Sequence, residues 1–212
     1  MKKLSMLLLL LLLVACQGTP SAGSDSGPSS EAPTTAEVTN DTSALQSTTP
    51  LAADAVGRPV QLIAPTLNLT IPIEEMGWQV TQVEGERKAV WEVPENSAGW
   101  HLNSARPGTA GNMVLSGHHL LGAAVFAPVA RGELSPDTQL LINDDQGHTY
   151  LYRVSKVGTP IPALGASAAE QQQADAYLAP SPQATLTLVT GWPDFSDTHY
   201  LFLVANFIGM EK

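Results

Sequence analysis

From residue 58 onward the chain is divided into short apolar runs separated by turn-forming residues, and this pattern limits the fold more than any other feature. Two of the runs, Tyr150–Val154 and Thr185–Val189, alternate or are β-branched in the manner of strands. Prolines lie at or near the ends of most runs, where strands tolerate them. The runs are Val60–Ala64, Leu67–Ile73, Val90–Val93, Asn112–Leu115, Gln139–Ile142, Tyr150–Val157, Thr185–Val189 and Tyr200–Phe207.

Helical patterns are few in the same region. Ala123–Ala130 is interrupted by Pro128, and Ala168–Leu178 is rich in Ala, Gln and Glu. Asp144–Gly147 is typical of a hairpin turn. Roughly eight short strands with one or two short helices predict an all-β fold, in the form of a closed or half-closed β-barrel.

The start of the chain has the pattern of a lipoprotein leader. Lys2 and Lys3 precede the apolar run Leu4–Val14, which is about half the ~20 residues that a membrane-spanning helix needs. The run ends in Leu-Val-Ala followed by Cys16, which resembles the bacterial lipobox and implies cleavage before this cysteine and lipidation of its thiol. We assign residues 1–15 to a signal peptide; the alternative is an ordinary signal peptide followed by a chance cysteine.

Residues 16–57 predict a flexible tether behind the lipid. After Cys16 this stretch is rich in Ser, Thr, Pro and Ala, carries only acidic charges and has no aromatic residue, so it cannot bury enough apolar surface to fold. A tether of ~40 residues reaches a few tens of ångströms, which would keep the folded domain, residues 58–212, close to the membrane.

Charge and cysteine content exclude several classes of function. The 10 Lys and Arg residues stand against 20 Asp and Glu, giving a formal net charge of −10, which argues against nucleic acid as a partner. Cys16 is the only cysteine, which excludes a disulfide within the chain, a cysteine-based metal cage and a cysteine nucleophile in the folded domain. No Gly-rich phosphate loop occurs, and we expect no cofactor.

Six short motifs occur in the order found in one enzyme family. They are Trp91–Pro94, Gly99–Trp100, Pro107–Gly108, Gly111–His118, Val125–Phe126 and Thr185–Thr190. In this order the chain resembles the sortase family, with class D and class E as the most similar types, over about residues 60–207. The resemblance implies an eight-stranded sortase-type β-barrel tethered outside the cell. It also implies cleavage of an LPXTG-type sorting signal and transfer of the cleaved protein to an amine.

A sortase needs three groups, and the resemblance locates their positions. The cysteine thiolate attacks the scissile carbonyl, a histidine transfers protons, and an arginine stabilises the oxyanion or holds the substrate. His118 ends the Gly-His motif and retains the family histidine. Gly191 stands in the cysteine position of a stretch that otherwise reads Thr-Leu-Val-Thr-Cys-Trp-Pro in the family. Tyr200 stands in the arginine position, where a neutral phenol replaces a cation.

The neighbours of these positions complete the predicted site. Thr190 and Trp192 flank Gly191 and are assigned to the binding groove, although strand alternation turns Thr190 away from the direction of a cysteine side chain. His119 is expected to point away from the site. Gly191 is expected to leave open the space that a thiol would fill.

Other chemistry receives weaker support from the residues. Ser116 and Ser196 are candidates for a substitute nucleophile, but a serine needs a well-placed base. A zinc site formed by His118, His119 and His199 is disfavoured, because adjacent histidines usually diverge and structural zinc has four ligands. The four tryptophans are expected in the core or the groove wall.

The sequence therefore favours a lipid-anchored, extracytoplasmic pseudoenzyme with a sortase fold. Its expected partners are a sorting-signal peptide or a cell-wall or surface protein, and the membrane through the lipid on Cys16. Two alternatives stay open: an active transpeptidase or hydrolase that does without cysteine, and a purely structural domain.

Replacing Cys16 by Ala is expected to abolish labelling with a clickable fatty acid and to release the protein from the membrane fraction. Two acyl chains suffice for stable anchoring, and without the thiol they have no point of attachment. Ser24→Ala, in the tether, is the matched control and keeps both properties. Equal labelling of the wild type and Cys16→Ala would contradict the prediction.

Overall fold

A computed structural model describes residues 49–83 and 86–211 of the chain. The predicted signal peptide, Cys16 and the tether up to residue 48 lie outside these residues. Within the described part, no helix is both long and apolar enough to cross a bilayer.

The described residues form eleven strands and two α-helices, besides two three-residue 3-10 helices. The strands are β1 (Pro59–Ala64), β2 (Leu69–Met76), β3 (Trp78–Val83), β4 (Glu86–Trp91), β5 (Ala98–His101), β6 (Gly111–Ser116), β7 (Gln139–Asp144), β8 (Thr149–Val157), β9 (Ile161–Pro162), β10 (Ala184–Trp192) and β11 (His199–Met210); the helices are α1 (Ala127–Ala130) and α2 (Ala168–Leu178).

Eight of the strands close into a barrel. The order around it is β10-β6-β5-β2-β1-β7-β8-β11, and β11 pairs with β10 to complete the ring. The pairs β6–β10 and β2–β5 are parallel, and the other pairs of the ring are antiparallel. Strand β9 adds to β11, and β3 and β4 form a separate hairpin between β2 and β5. The predicted eight-stranded β-barrel is confirmed.

Alternation along the strands fills the barrel interior with apolar side chains. In β10, Ala184, Leu186 and Leu188 belong to the core cluster, whereas the odd-numbered neighbours face outward. The core also contains five large aromatic side chains, namely Trp100, Phe126, Tyr150, Tyr152 and Phe207. The outward face at residue 191 is therefore separated from the core, which leaves it free to form a site.

A smaller apolar cluster on the outside of the barrel holds α2. Tyr177 of α2 stacks on Phe202 of β11 with ring centroids 4.8 Å apart, and Ile161 completes the cluster. The helix begins at a capping box in which the Ser167 hydroxyl accepts from the backbone N–H of Glu170 and the Glu170 carboxylate accepts from that of Ser167. This helix has the bounds predicted from the sequence.

Other predicted elements differ from the structure. The strand predicted over Val90–Val93 has the wrong bounds. The strand observed there is β4, which begins at Glu86 and ends at Trp91. The helix predicted over Ala123–Ala130 is reduced to α1, since Pro128 is tolerated only in the first turn. Strands β3, β5 and β9 were not predicted; β5 has four consecutive buried residues and therefore no alternation to detect.

The turn between β7 and β8 is organised by a buried carboxylate. Asp144 accepts hydrogen bonds from the backbone N–H groups of Gly57, Gln146 and His148, from the His148 ring and from the Tyr150 hydroxyl. Burial by itself raises the pKa of Asp144, but these hydrogen bonds outweigh it and lower the pKa to about 2. The carboxylate thus joins the segment before β1 to the β7–β8 hairpin.

Asp144→Asn is expected to lower the free energy of unfolding by about 2–4 kcal/mol at pH 7, because an amide cannot accept all these hydrogen bonds. The folded-state pKa of about 2 lies below the unfolded value of 3.8. The stabilisation is therefore present above 3.8 and is lost as the pH falls through about 2.

The measurement is urea unfolding of the full chain followed by circular dichroism across this pH range. The difference in the free energy of unfolding between wild type and Asp144→Asn should shrink by about 2 kcal/mol as the pH falls. Glu211→Gln, at an exposed position after β11, is the control. A gap that does not change with pH would contradict the assignment of the stabilisation to the ionised carboxylate.

Candidate functional site

The candidate site lies where the ends of three strands meet. Strands β6 and β10 run parallel, with Ser116 opposite Val189, so their carboxyl ends lie side by side. The N–H of Gly117 donates to the carbonyl oxygen of Val189 at 3.1 Å, and the Thr190 hydroxyl donates to that of Gly117 at 2.8 Å. The segment after β6, which carries the two adjacent histidines, is therefore fixed to the end of β10.

Glycine is required at residue 117 by a close approach. A β-carbon there would lie 2.6 Å from the ring of Phe126, which is fully buried. The N–H of Phe126 donates to the carbonyl oxygen of His118 at 2.9 Å. These contacts fix the backbone at His118.

Gly191 and Tyr200 face each other across the barrel closure. They are directly paired in the antiparallel register of β10 and β11. Because the neighbouring residues Leu188 and Leu201 belong to the core, alternation turns position 191 and the exposed Tyr200 side chain to the outer face. The positions that resemble the sortase cysteine and arginine are therefore adjacent.

His118 borders the same outer face. Its Nε2 lies 3.2 Å from the carbonyl oxygen of Val93 and donates to it. A cavity of about 310 Å³ opens here, and its walls are formed by Val93, Ser116, Gly117, His118, His119, Leu120, Leu121, Val189, Thr190, Gly191, Asp197 and Tyr200. The structure thus brings His118, Gly191 and Tyr200 to one cavity.

His119 does not point away from the site, and that expectation is wrong. Its ring is 6% exposed, and Nε2 donates to the carbonyl oxygens of Pro193, at 3.0 Å, and Ser196, at 2.8 Å. A β-carbon on Gly191 would collide with Cε1 of this ring and would lie 2.6 Å from Oδ1 of Asp197.

The expected open space at Gly191 is therefore also wrong, because the His119 imidazole fills it. Adjacent side chains diverge along a strand, but His118 and His119 follow the end of β6, where the alternation no longer applies. Nothing in the sequence pattern indicates this arrangement.

The two predicted groove residues lie in different environments. Thr190 is buried at the cavity wall and its hydroxyl is used by the Gly117 carbonyl oxygen. Trp192 is absent from the cavity wall formed by the described residues, and its indole packs edge-on against His199 with centroids 5.5 Å apart. The structure therefore brings Thr190, but not Trp192, to His118 and Gly191.

Of the two serine candidates, Ser116 has a histidine partner. Its hydroxyl lies 2.8 Å from Nε2 of His101, and burial lowers the pKa of His101 to about 4. Ser196 is hydrogen-bonded only weakly, to the Thr198 hydroxyl at 3.4 Å. His101 is a residue that the sequence did not single out, because nothing in its local pattern connects β5 with the end of β6.

The histidines considered for zinc have other contacts. Nδ1 of His199 lies 2.9 Å from the Thr198 hydroxyl, while His118 and His119 contact backbone carbonyl oxygens. Across residues 49–83 and 86–211, no group of three or more His, Cys, Asp or Glu side chains is arranged to hold a metal ion.

Comparisons with known proteins agree on one family. The model of the sortase domain matches residues 64–206. Sortase A from Corynebacterium diphtheriae, in a lid mutant, is 23% identical, with 74% of this chain and 75% of that chain covered and a TM-score of 0.53. The comparison with curated proteins gave no match.

Two further solved structures belong to other classes. Sortase E1 from Streptomyces coelicolor, solved with a tripeptide in its active site, is 15% identical with a TM-score of 0.53, covering 76% of this chain and 93% of that one. The Clostridium perfringens sortase D5 transpeptidase is 17% identical with a TM-score of 0.50, covering 72% and 79%. At these identities the likeness establishes the fold and does not single out a class.

Gly191→Cys is expected to lower the free energy of unfolding by about 1–3 kcal/mol, because the new side chain meets the His119 ring. In a His119→Ala background the same substitution should cost less, because only the Asp197 carboxylate then remains close to the new β-carbon. A double-mutant cycle measured by urea unfolding isolates this coupling.

Gly77→Cys is the matched control, since a β-carbon there has only an ordinary contact, 3.8 Å from Leu102. Equal costs for Gly191→Cys with and without His119 would show that the imidazole does not fill this position.

Proposed function

Because the chain belongs to the sortase family, we propose that it is a sortase-fold protein that has lost transpeptidation and acts as a binding module. The family acts on sorting-signal peptides and cell-wall proteins outside the cytoplasm. In this proposal the cavity at His118 and Tyr200 holds an extended peptide or a segment of a surface protein without cleaving it.

The observation that carries the proposal is the His119 ring at the nucleophile position. Gly191 has no group that can attack a carbonyl, and the imidazole and Asp197 lie where a thiol would project. A water molecule or a neighbouring hydroxyl group therefore has no room at this position to act as the nucleophile instead. The absence of a nucleophilic group, together with an imidazole packed in its place, supports the loss of acyl transfer.

The second difference from the sortase pattern, Tyr200 in the arginine position, weakens stabilisation of the transition state. An arginine supplies a permanent positive charge and several donors, whereas Tyr200 supplies one neutral hydroxyl. Losing one oxyanion donor typically costs about 3–4 kcal/mol of transition-state stabilisation. The side chain of Tyr200 is 46% exposed and instead offers an aromatic surface with a polar end, which suits recognition.

The lining predicts the kind of peptide. Val93, Leu120, Leu121 and Val189 give the cavity mainly apolar walls, and Asp197 is the carboxylate among the residues that line it. The ligand should therefore present an apolar side chain and depend little on a carboxylate of its own. Its affinity should change little with salt, and a short flexible peptide should bind in the micromolar range or more weakly.

Location follows from the leader and the tether. We propose that lipid on Cys16 holds the barrel at the outer face of the cell membrane, with the tether setting its distance. In this position the cavity would meet surface proteins and their sorting signals.

A second candidate function rests on the hydrogen bond between Ser116 and His101. A neutral imidazole beside a serine hydroxyl is the arrangement that activates a serine nucleophile. The pKa of about 4 makes His101 a weak base. The serine is buried as well, and hydrolysis therefore ranks below binding.

The full chain is expected to show no turnover of a quenched fluorescent LPXTG-type peptide, because neither the nucleophile nor the cation is present. Fluorescence release over many hours measures this directly. Turnover that disappears in Ser116→Ala would overturn the binding proposal in favour of the second candidate. Turnover that persists in Ser116→Ala but disappears in His118→Ala would also overturn the binding proposal, because Ser196 or another group would then be the nucleophile.

Binding is expected to show as chemical-shift changes around His118, Gly191 and Tyr200 when the same peptide is added. Tyr200→Ala should weaken the affinity by more than about fivefold, since an exposed aromatic wall is lost. Gln79→Ala, on the separate hairpin, is the control. If no peptide from the sorting-signal or cell-wall cross-bridge classes shifts these residues, the structural-domain alternative is the better one.

A further inference from the structure

A second cavity, separate from the candidate site, opens at the base of the β3–β4 hairpin. Its volume is about 580 Å³, within the range of about 300–1,000 Å³ that is usual for small-molecule sites. The hairpin forms one wall, the outer face of β6 forms the floor, and residues after α2, including Leu178 and Pro180, form the opposite wall.

Two tryptophans form an aromatic platform in this cleft. Trp78 and Trp91 are directly paired across β3 and β4, and their ring centroids are 4.0 Å apart. Trp91 also contacts the His101 ring at 4.4 Å, which joins the platform to the barrel. Trp78 nevertheless remains 58% exposed, so much of its indole surface is open to solvent.

The polar groups of the cleft are neutral. The lining residues include no Asp, Glu, Lys or Arg, and burial lowers the pKa of His101 to about 4, so its ring is uncharged at pH 7. Asn103 is exposed, and its carboxamide makes no hydrogen bond to another described residue. The Asn103 amide, a neutral group that can both donate and accept hydrogen bonds, is therefore available to a ligand beside the platform.

The aromatic platform and the neutral polar groups together determine which class of ligand fits the cleft. A charged ligand would find no counter-ion among the lining residues, and the net charge of −10 also disfavours anions such as nucleotides. A proline-rich peptide inserts its rings between separated aromatic side chains, whereas these two indoles contact each other, with an interplanar angle of 37°. A pyranose ring fits better, because one of its faces carries C–H bonds that pack on an indole while its rim carries hydroxyls that pair with an amide.

We infer that this cleft is a carbohydrate-binding site, which takes a neutral oligosaccharide with one pyranose ring on Trp78 and its hydroxyls toward Asn103. The site is independent of the cavity at His118, because none of the residues that line one cavity lines the other. Success or failure of peptide binding therefore leaves this inference unaffected.

Tryptophan side-chain resonances provide the test. The chain contains four tryptophans, so a ¹⁵N-labelled full chain gives four indole N–H signals, which single Trp→Phe variants assign. The protein is prepared in a detergent without a sugar headgroup and titrated separately with maltotriose, cellotriose and N,N′,N″-triacetylchitotriose. At least one of these sugars is expected to shift the Trp78 and Trp91 signals and to leave those of Trp100 and Trp192 in place.

Variants then locate the binding. Trp78→Ala should weaken the affinity by more than about tenfold and Asn103→Ala by about threefold. Phe195→Ala is the matched control, since this ring is also strongly exposed but lies outside the cleft. Trp78 and Asn103 are both exposed, so these variants should keep the fold, which thermal unfolding verifies.

Three results would overturn the inference. The first is that no trisaccharide shifts the Trp78 or Trp91 signal at about 10 mM, a concentration that detects even weak affinities. The second is that sugar affinity is unchanged in Trp78→Ala. The third is that a proline decapeptide or choline, titrated in the same way, shifts these two signals at lower concentration than any of the sugars.

Discussion

The pairing of β10 with β11 is the interaction on which the rest of the structure depends. It closes the ring of eight strands, so that each strand of the barrel pairs with a neighbour on both sides. The same register sets Gly191 opposite Tyr200 and places both beside the end of β6. The strand pairing that closes the barrel therefore also positions the candidate site.

The absence of a nucleophile and the position of His119 are two aspects of one packing arrangement. Only a residue without a side chain at position 191 lets the imidazole approach β10. Once there, the ring bonds through Nε2 to two carbonyl oxygens of the segment between β10 and β11. His119 therefore helps to hold this connecting segment in place, and the glycine at position 191 makes room for it.

The sequence was informative where a repeating physical pattern exists. Alternation or β-branching identified β8 and β10, the Ala, Gln and Glu content identified α2, and the number of short apolar runs together with the motif order identified the barrel. It was uninformative where contacts are long-range: β5 is buried on both faces, and the link between His101 and Ser116 depends on strand pairing. The position of the His119 ring could not be predicted, because a turn and a distant glycine set its direction. Its hydrogen-bond partner Pro193 is 74 residues away along the chain.

The imidazole at Gly191 also limits which residues can occur at that position. Any residue with a β-carbon would meet the His119 ring and the Asp197 carboxylate. A change at residue 191 is therefore opposed by packing unless a change at residue 119 accompanies it, and the two positions are coupled although they lie in different segments of the chain. Among proteins that share this arrangement, residues 119 and 191 are accordingly expected to covary.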